Sequence, residues 1–416
     1  MNRWSRSAEP QLPRTAGPWP RFWALAAMYV FSMFYRVSTA VIAVDLDQQF
    51  GLGPQRLSLL GAAFFYAFAL AQLPLGPALD RWGAKRIIVS ATCLGAVGSL
   101  VFAAGRTWET LLLARVLMGL GMAPVLMGSF KLFSGWFAAG AFGTVSGLMM
   151  AVGGLGGLLA ASPLAALVAW AGWRASFALF GALTLAGTAV IFLCVEDPPT
   201  GTPAAGRPGL TTGLRQVASR RNFWTMAPLA LVGYASVASL QGLWAGPYFM
   251  ESLGYSRQAT GTILFALGLT GAGGSALAGY VSDRIVRSRK WVVLAGSLSH
   301  ALLLVPLLGP GAPRSELGWV LLFAALGLVA SGRGLVYAHA KESMPPELAG
   351  TAVAAINLFI MFGPALMQQA MGTALAARPG DYPAAFAIPV AALCAGSAIY
   401  AFSRDTHPDR REKSGP

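Results

Sequence analysis

Charged residues are scarce in this 416-residue sequence: Asp, Glu, Lys and Arg together make up 11%, where an ordinary soluble protein has about 25%. Cysteine is scarcer still. Cys93, Cys194 and Cys394 each lie within an apolar run, a placement that argues against a disulfide framework, a thiolate metal set and redox chemistry. The three histidines, His300, His339 and His407, have no metal-ligand spacing and no central position suited to a proton relay. All sixteen acidic residues assign to tails, loops or the ends of apolar stretches, so no carboxylate is expected at the centre of a bilayer to shuttle protons. No set of nucleophile, base and orienting group can be assembled, and no phosphate-cradling glycine loop is present. Enzyme activity and a cofactor are therefore not expected. The first twenty residues are polar and proline-rich, without the apolar region and cleavage site of a secretory signal, so the first apolar stretch should remain uncleaved.

What is abundant is apolar surface. Hydrophobic residues make up 56% of the chain and the mean hydropathy is +0.60, more than a soluble protein of this size can bury. Fifty glycines fit membrane helices that associate through close backbone approach. The net charge of +14 comes from small basic clusters between apolar segments, not from a basic face with interleaved aromatics, so nucleic acid is not an expected partner. Spanning a bilayer takes about 20 apolar residues. Twelve such stretches are present: 22–44, 56–79, 86–105, 109–134, 142–169, 174–195, 223–249, 258–281, 291–309, 317–340, 349–375 and 382–403.

With the N-terminus placed in the cytoplasm, 22 of the 30 basic residues fall on the cytoplasmic side and six on the other. That asymmetry predicts cytoplasmic termini. The longest connection, 196–222, contains PPTGTPAAGRPG and then LRQVASRR; it reads as a flexible linker with an interfacial helix. The expected organisation is a cytoplasmic tail (1–21), a first bundle of six helices (22–195), a cytoplasmic linker (196–222), a second bundle (223–403) and a cytoplasmic tail (404–416). Internal repetition supports the division, since GPALDRWGAKR after the second span recurs as GYVSDRIVRSRK after the eighth.

The first of these segments, with Gly76, Asp80, Arg81, Gly83, Lys85 and Arg86, resembles the signature loop of the major facilitator superfamily. The second copy keeps Gly279, Asp283 and Arg284 but has Val286 in place of the later glycine. The resemblance implies an all-α membrane protein of twelve transmembrane helices in two pseudo-symmetric six-helix bundles. It also implies that Gly76, Asp80, Arg81, Gly83, Lys85, Asp283 and Arg284 form conformational latches on the cytoplasmic side. Gly76 is expected to let the second helix pack closely on a neighbour, and Asp80 to meet a helix N-terminus or nearby cations. Arg115, Gly119 and Gly121 resemble the family's second motif, and GWRASF from Gly172 to Phe177 resembles the start of its sixth helix. Arg115 reads either as a coupling residue or as a fixed partner for carbonyls of the first helix. Gly147, Gly153, Gly154, Gly156, Gly157 and Pro163 match the antiporter-type glycine-proline motif loosely and read as a close-packing surface.

In this fold the first and fourth helices of each half line a central cavity, which turns attention to the few polar residues there. Arg36, beside Tyr35, has no nearby acid on its helix. It reads as a ligand for an anionic group or as a buried structural cation, and its segment resembles the first helix of organic-anion and phosphate-ester exchangers. The seventh span offers Tyr234, Gln241, Trp244 and Tyr248, the last suited to an interfacial aromatic belt. The tenth supplies Arg333 and Tyr337, and the eleventh Asn357 and Gln368. Arg333 and Asn357 could bind substrate or satisfy backbone at a bend. Lys131 reads as a snorkelling residue or as part of the site.

These residues predict alternating-access transport of a small anionic or zwitterionic organic solute across the inner (cytoplasmic) membrane, by a monomer needing only its solute and the bilayer. Arg36 would anchor the charge, with Tyr35, Gln241, Trp244, Arg333, Tyr337 and Asn357 completing the pocket. The alternatives are efflux of apolar or cationic compounds and a sensor without flux.

Overall fold

Glycine, proline and short polar residues punctuate the apolar runs, and the computed structural model turns each run into helix. It describes residues 17–138, 141–198, 210–345 and 348–406, with no strand among them. Helices satisfy their own backbone polar groups, which is the condition for lying in lipid. The first bundle contains α1 (Pro18–Val37), α2 (Thr39–Phe50), α3 (Gly53–Trp82), α4 (Ala84–Ala104), α5 (Trp108–Trp136), α6 (Phe142–Leu159) and α7 (Ser162–Cys194). The second contains α9 (Arg221–Ser252), α10 (Arg257–Ile285), α11 (Arg289–Leu308), α12 (Glu316–Glu342), α13 (Ala349–Ala377) and α14 (Tyr382–Tyr400). Between them lies α8 (Leu210–Ala218), at the position expected for an interfacial helix. Side-chain caps mark several starts: Thr107, Ser256, Ser288, Ser315 and Asp381 each accept a backbone N–H of the first turn.

Among the described residues, ten helices are long and apolar enough to cross a membrane, and the α1–α2 pair makes eleven. Two departures from the expected spans bear on the site. The first span bends by 46° between α1 and α2, and α12 is interrupted by a 3-10 turn at Ser331–Gly334. The fifth span has a further break between Leu159 and Ser162, and the expected boundary between the fifth and sixth spans, 169–174, coincides with a break in α7 at Gly172, whose φ of 80° and ψ of 162° are not helical. Glycine alone takes that conformation without strain.

Within the first bundle α4 packs on α5 and α7, α1 on α6 and α3 on α5; within the second α10 packs on α12 and α9 on α13 and α14. The bundles meet along α3 with α13, α10 with α6 and α7, and α2 with α9. Small residues make the close crossings. An added Cβ at Gly156 would collide with the Val30 carbonyl of α1, and one at Gly246 with the Ala40 carbonyl across the bundle interface.

Candidate functional site

Arg36 sits in the last turn of α1, just before the bend, and is 5% exposed. Among the described residues its Nη1 reaches only the Met361 thioether of α13, at 3.7 Å. The guanidinium carbon lies 4.4 Å from the ring centre of Phe68 on α3, and among the described residues Nε has no partner. Nine residues further along the chain, Asp45 is committed to Arg257. Removing a cation from water costs several kcal/mol unless an anion and hydrogen bonds replace the lost hydration. A thioether and a ring face replace little of it.

Around Arg36 the structure gathers side chains from both bundles. Tyr337 of α12 lies within electrostatic range of Tyr29, Arg36, Tyr234 and Arg333, and donates a 2.6 Å hydrogen bond to Asn357 Oδ1 of α13. Arg333 projects from the 3-10 turn of α12. Its Nη1 donates to the Ala330 carbonyl at 2.6 Å, and its guanidinium carbon is 5.5 Å from the Tyr234 ring centre. Tyr234 in turn meets Phe65 of α3 edge-on at 6.5 Å. His300 of α11, read from the sequence as peripheral, lies within electrostatic range of Arg333. Among the described residues no carboxylate pairs with Arg36 or Arg333, so the group is cationic and rich in N–H and O–H donors.

The other expected cavity residues have different partners. Tyr35 is fully buried and its hydroxyl shares a 2.9 Å hydrogen bond with Thr184 Oγ1 inside the first bundle. Trp244 is buried and donates to the Gln368 carbonyl at 3.2 Å. Gln241 turns its amide between Gly157 of α6 and Gly268 of α10. Arg115 of α5 adopts the carbonyl-holding arrangement: Nη1 donates to the Tyr35 carbonyl at 2.8 Å and Nε to the Leu60 carbonyl at 3.2 Å. It thereby ties α5 to α1 beside the bend and to α3.

The two ends of the interface differ. At the end away from the chain termini, Arg257 of α10 clasps Asp45 of α2 with two hydrogen bonds of 2.6 and 2.7 Å and donates to the Val41 carbonyl. Gln258 donates to Ser162 beside it. At the terminal end, where Arg21 meets Glu196 and Arg404 meets Asn222, the ties run within bundles. Lys131 bonds Asp80 at 2.6 Å and the Leu79 carbonyl. Arg289 bonds Asp283 and Glu342. The expected close packing at Gly76 is not present: an added Cβ would meet nothing within 4 Å, and the same holds for Gly279. Among the described residues, the α3 and α10 surfaces bearing them have no close neighbour at these two positions. Arg81 and Arg284 are exposed, Arg81 over Trp82 and Lys85 over Phe192.

Gly83 has a φ of 84° and no room for a side chain, because Asp197 sits against it and accepts the Ala84 and Lys85 N–H groups. Asp405 does the same for α11, accepting from the Arg289 N–H and the Ser288 hydroxyl. These acids stabilise positive helix N-termini. Sequence reasoning left both in a linker and a tail, although each lies just past the last helix of its bundle. Asp45, Tyr29, Phe68 and Met361 were also missed, because pairing across distant helices leaves no local spacing to read.

The sequence profile described as Major Facilitator Superfamily matches residues 24–368. A probable sulfoacetate transporter of Cupriavidus necator is 24% identical over 278 residues, covering 63% of this chain and 64% of that protein. A probable L-galactonate transporter of Escherichia coli strain K12 is 26% identical over 300 residues, covering 67% and 66% respectively. The matched regions thus span just under two thirds of these relatives. Among solved structures, a bacterial homolog of the human lysosomal transporter Spinster, in an inward-facing and occupied conformation, superposes with a TM-score of 0.77 at 18% identity, covering 95% of this chain and 97% of that one. Two repeated loops, two bundles meeting along paired helices and a profile match over most of the length converge on one assignment: the chain is a multi-pass membrane protein belonging to the major facilitator superfamily.

Proposed function

We propose that this protein is a secondary transporter that moves a small anionic organic solute by alternating access. The single observation carrying the reading is Arg36, a buried guanidinium at the bundle interface that, among the described residues, has a thioether and a ring for company and no acid. An anion entering between the bundles supplies the missing charge and up to two parallel hydrogen bonds. The named cargo of the two relatives fits, since sulfoacetate and L-galactonate both carry a carboxylate.

The full architecture in this reading is twelve spans in two bundles, 22–195 and 223–403, with termini in the cytoplasm of a cell whose inner membrane holds the protein. Gly172 supports the count by dividing α7: residues 162–171 complete a fifth span begun at Phe142, and residues 173–194 form the sixth. The basic asymmetry supports the orientation. The Arg257 to Asp45 tie then closes the outer side. The uncovered Gly76 and Gly279 surfaces face a cavity open to the cytoplasm, and the Asp80, Arg81, Gly83, Lys85, Asp283 and Arg284 loops latch in the opposite state. Tyr35, Trp244 and Gln241 support the pocket from behind, while Arg115 and Lys131 hold the helices that move.

The test is uptake of labelled sulfoacetate and L-galactonate into liposomes carrying the purified protein, beside an Arg36→Gln variant whose melting temperature verifies folding. Saturable uptake that the variant loses is the expected result. Equal uptake by both proteins removes Arg36 from the mechanism, and transport confined to lipophilic cations replaces the anion reading with an efflux one.

A further inference from the structure

The site holds a second cation that the anion reading does not use. Arg333 belongs to the second bundle and Arg36 to the first, and both lie within electrostatic range of one phenol, Tyr337. The nearest acid following each on its own helix or the next stands nine residues on, and both are engaged elsewhere: Asp45 with Arg257, and Glu342 with Arg289 and Thr406. The 3-10 turn at Ser331–Gly334 aims Arg333 toward Tyr234, leaving it half-buried rather than sealed in the bundle. Its sole hydrogen bond among the described residues is to the Ala330 carbonyl of its own helix.

We propose that the cargo is a dianion, with one anionic group for Arg36 and a second, at the other end of a short carbon chain, for Arg333. This inference rests on the anion reading above. Alternating access requires the terminal end to close around the cargo. Closure moves both guanidiniums further from water, where their mutual repulsion and lost hydration both grow. A monoanion neutralises one cation and leaves the other in the closing gap. A dianion cancels both and, because the cations belong to different bundles, bridges the two bodies that must approach. Tyr29 and Tyr234 supply phenolic hydroxyls for acceptor atoms between the two ends, while the Tyr337 hydroxyl is held by Asn357. Charge number therefore decides which bound solutes are carried across.

The experiment uses proteoliposomes of the full chain and matched pairs that differ by one charge: D-glucarate with D-gluconate, sulfoacetate with methylsulfonylacetate, and succinate with succinamate. Uptake of each is measured for the native protein, Arg333→Gln, Arg333→Lys and Arg36→Gln. At least tenfold faster uptake of the dianion is expected for whichever pair the protein accepts. Arg333→Gln should bring that dianion down towards its monoanionic partner, Arg333→Lys should retain the preference, and Arg36→Gln should lose both members. Equal handling within every accepted pair, or an unaltered ratio in Arg333→Gln, overturns the dianion proposal and leaves anion transport standing. Failure to carry any of the six solutes counts against both readings. Should Arg333→Gln not fold, the native ratio and that of Arg333→Lys still decide the matter.

Discussion

Arg36 and Arg115 are both buried guanidiniums of the first bundle, 5% and 1% exposed, yet they have opposite surroundings. Arg115 donates to two carbonyls and stacks near Phe64; Arg36 has a weak sulfur acceptor, a ring and an idle Nε. The difference teaches that the cost of burying a cation does not reveal its role, whereas the partner set does. Where protein carbonyls absorb the N–H groups, the arginine is a brace. Where they do not, the site awaits something from outside.

Removing the brace should have the largest effect. Arg115→Met leaves the Tyr35 and Leu60 carbonyls without their donor, at about 1–3 kcal/mol for each buried group. The melting temperature in detergent should fall by several degrees, and unaltered melting would erase the contrast. Arg36→Gln should instead leave melting unchanged or raise it while weakening anion binding by roughly 10- to 100-fold, the equivalent of about 1.5–3 kcal/mol for a charge-assisted bond. Calorimetric titration of the solute that the proteoliposomes accept measures it.

The comparison extends to the interface ends. Arg257→Gln removes the partly buried clasp on Asp45, worth about 1 kcal/mol after solvent screening. Thiol labelling of a cysteine placed at Ala165, which is buried against Gly261 of α10, should then rise about fivefold as the outer end opens more often, and the charge swap Asp45→Arg with Arg257→Asp should reverse the gain. The smallest effect belongs to Asp80→Asn. Its bond to Lys131 joins side chains 79% and 39% exposed, and such pairs contribute under about 1 kcal/mol. Melting should barely move, while uptake slows if this loop latches the opposite state.

Much of the architecture was legible because lipid imposes one-dimensional rules. Apolar runs of spanning length and the repeated DR loop are local patterns, and the helices fall close to where those patterns lie. Two of the breaks were not legible: nothing in FYRVSTAV marks a 46° bend at Ser38, and nothing marks the 3-10 turn at Ser331–Gly334. The break at Gly172 falls where GWRASF was expected to open the sixth helix. At the site, Arg36, Arg333, Tyr337 and Asn357 could each be named from the cost of polar groups in a bilayer. That Tyr337 bonds Asn357 while interacting electrostatically with two cations follows from helix crossings, as do the separate partners of Tyr35 and Trp244.

The chain by itself determined that its solvent is lipid, that it repeats, and that two arginines would be carried into the membrane without acids beside them on their helices. Only the tertiary structure decided which arginine is satisfied. A guanidinium's partners come from helices far apart in sequence, and the geometry of their crossing, rather than any spacing along one helix, determines whether a carbonyl is there to meet it.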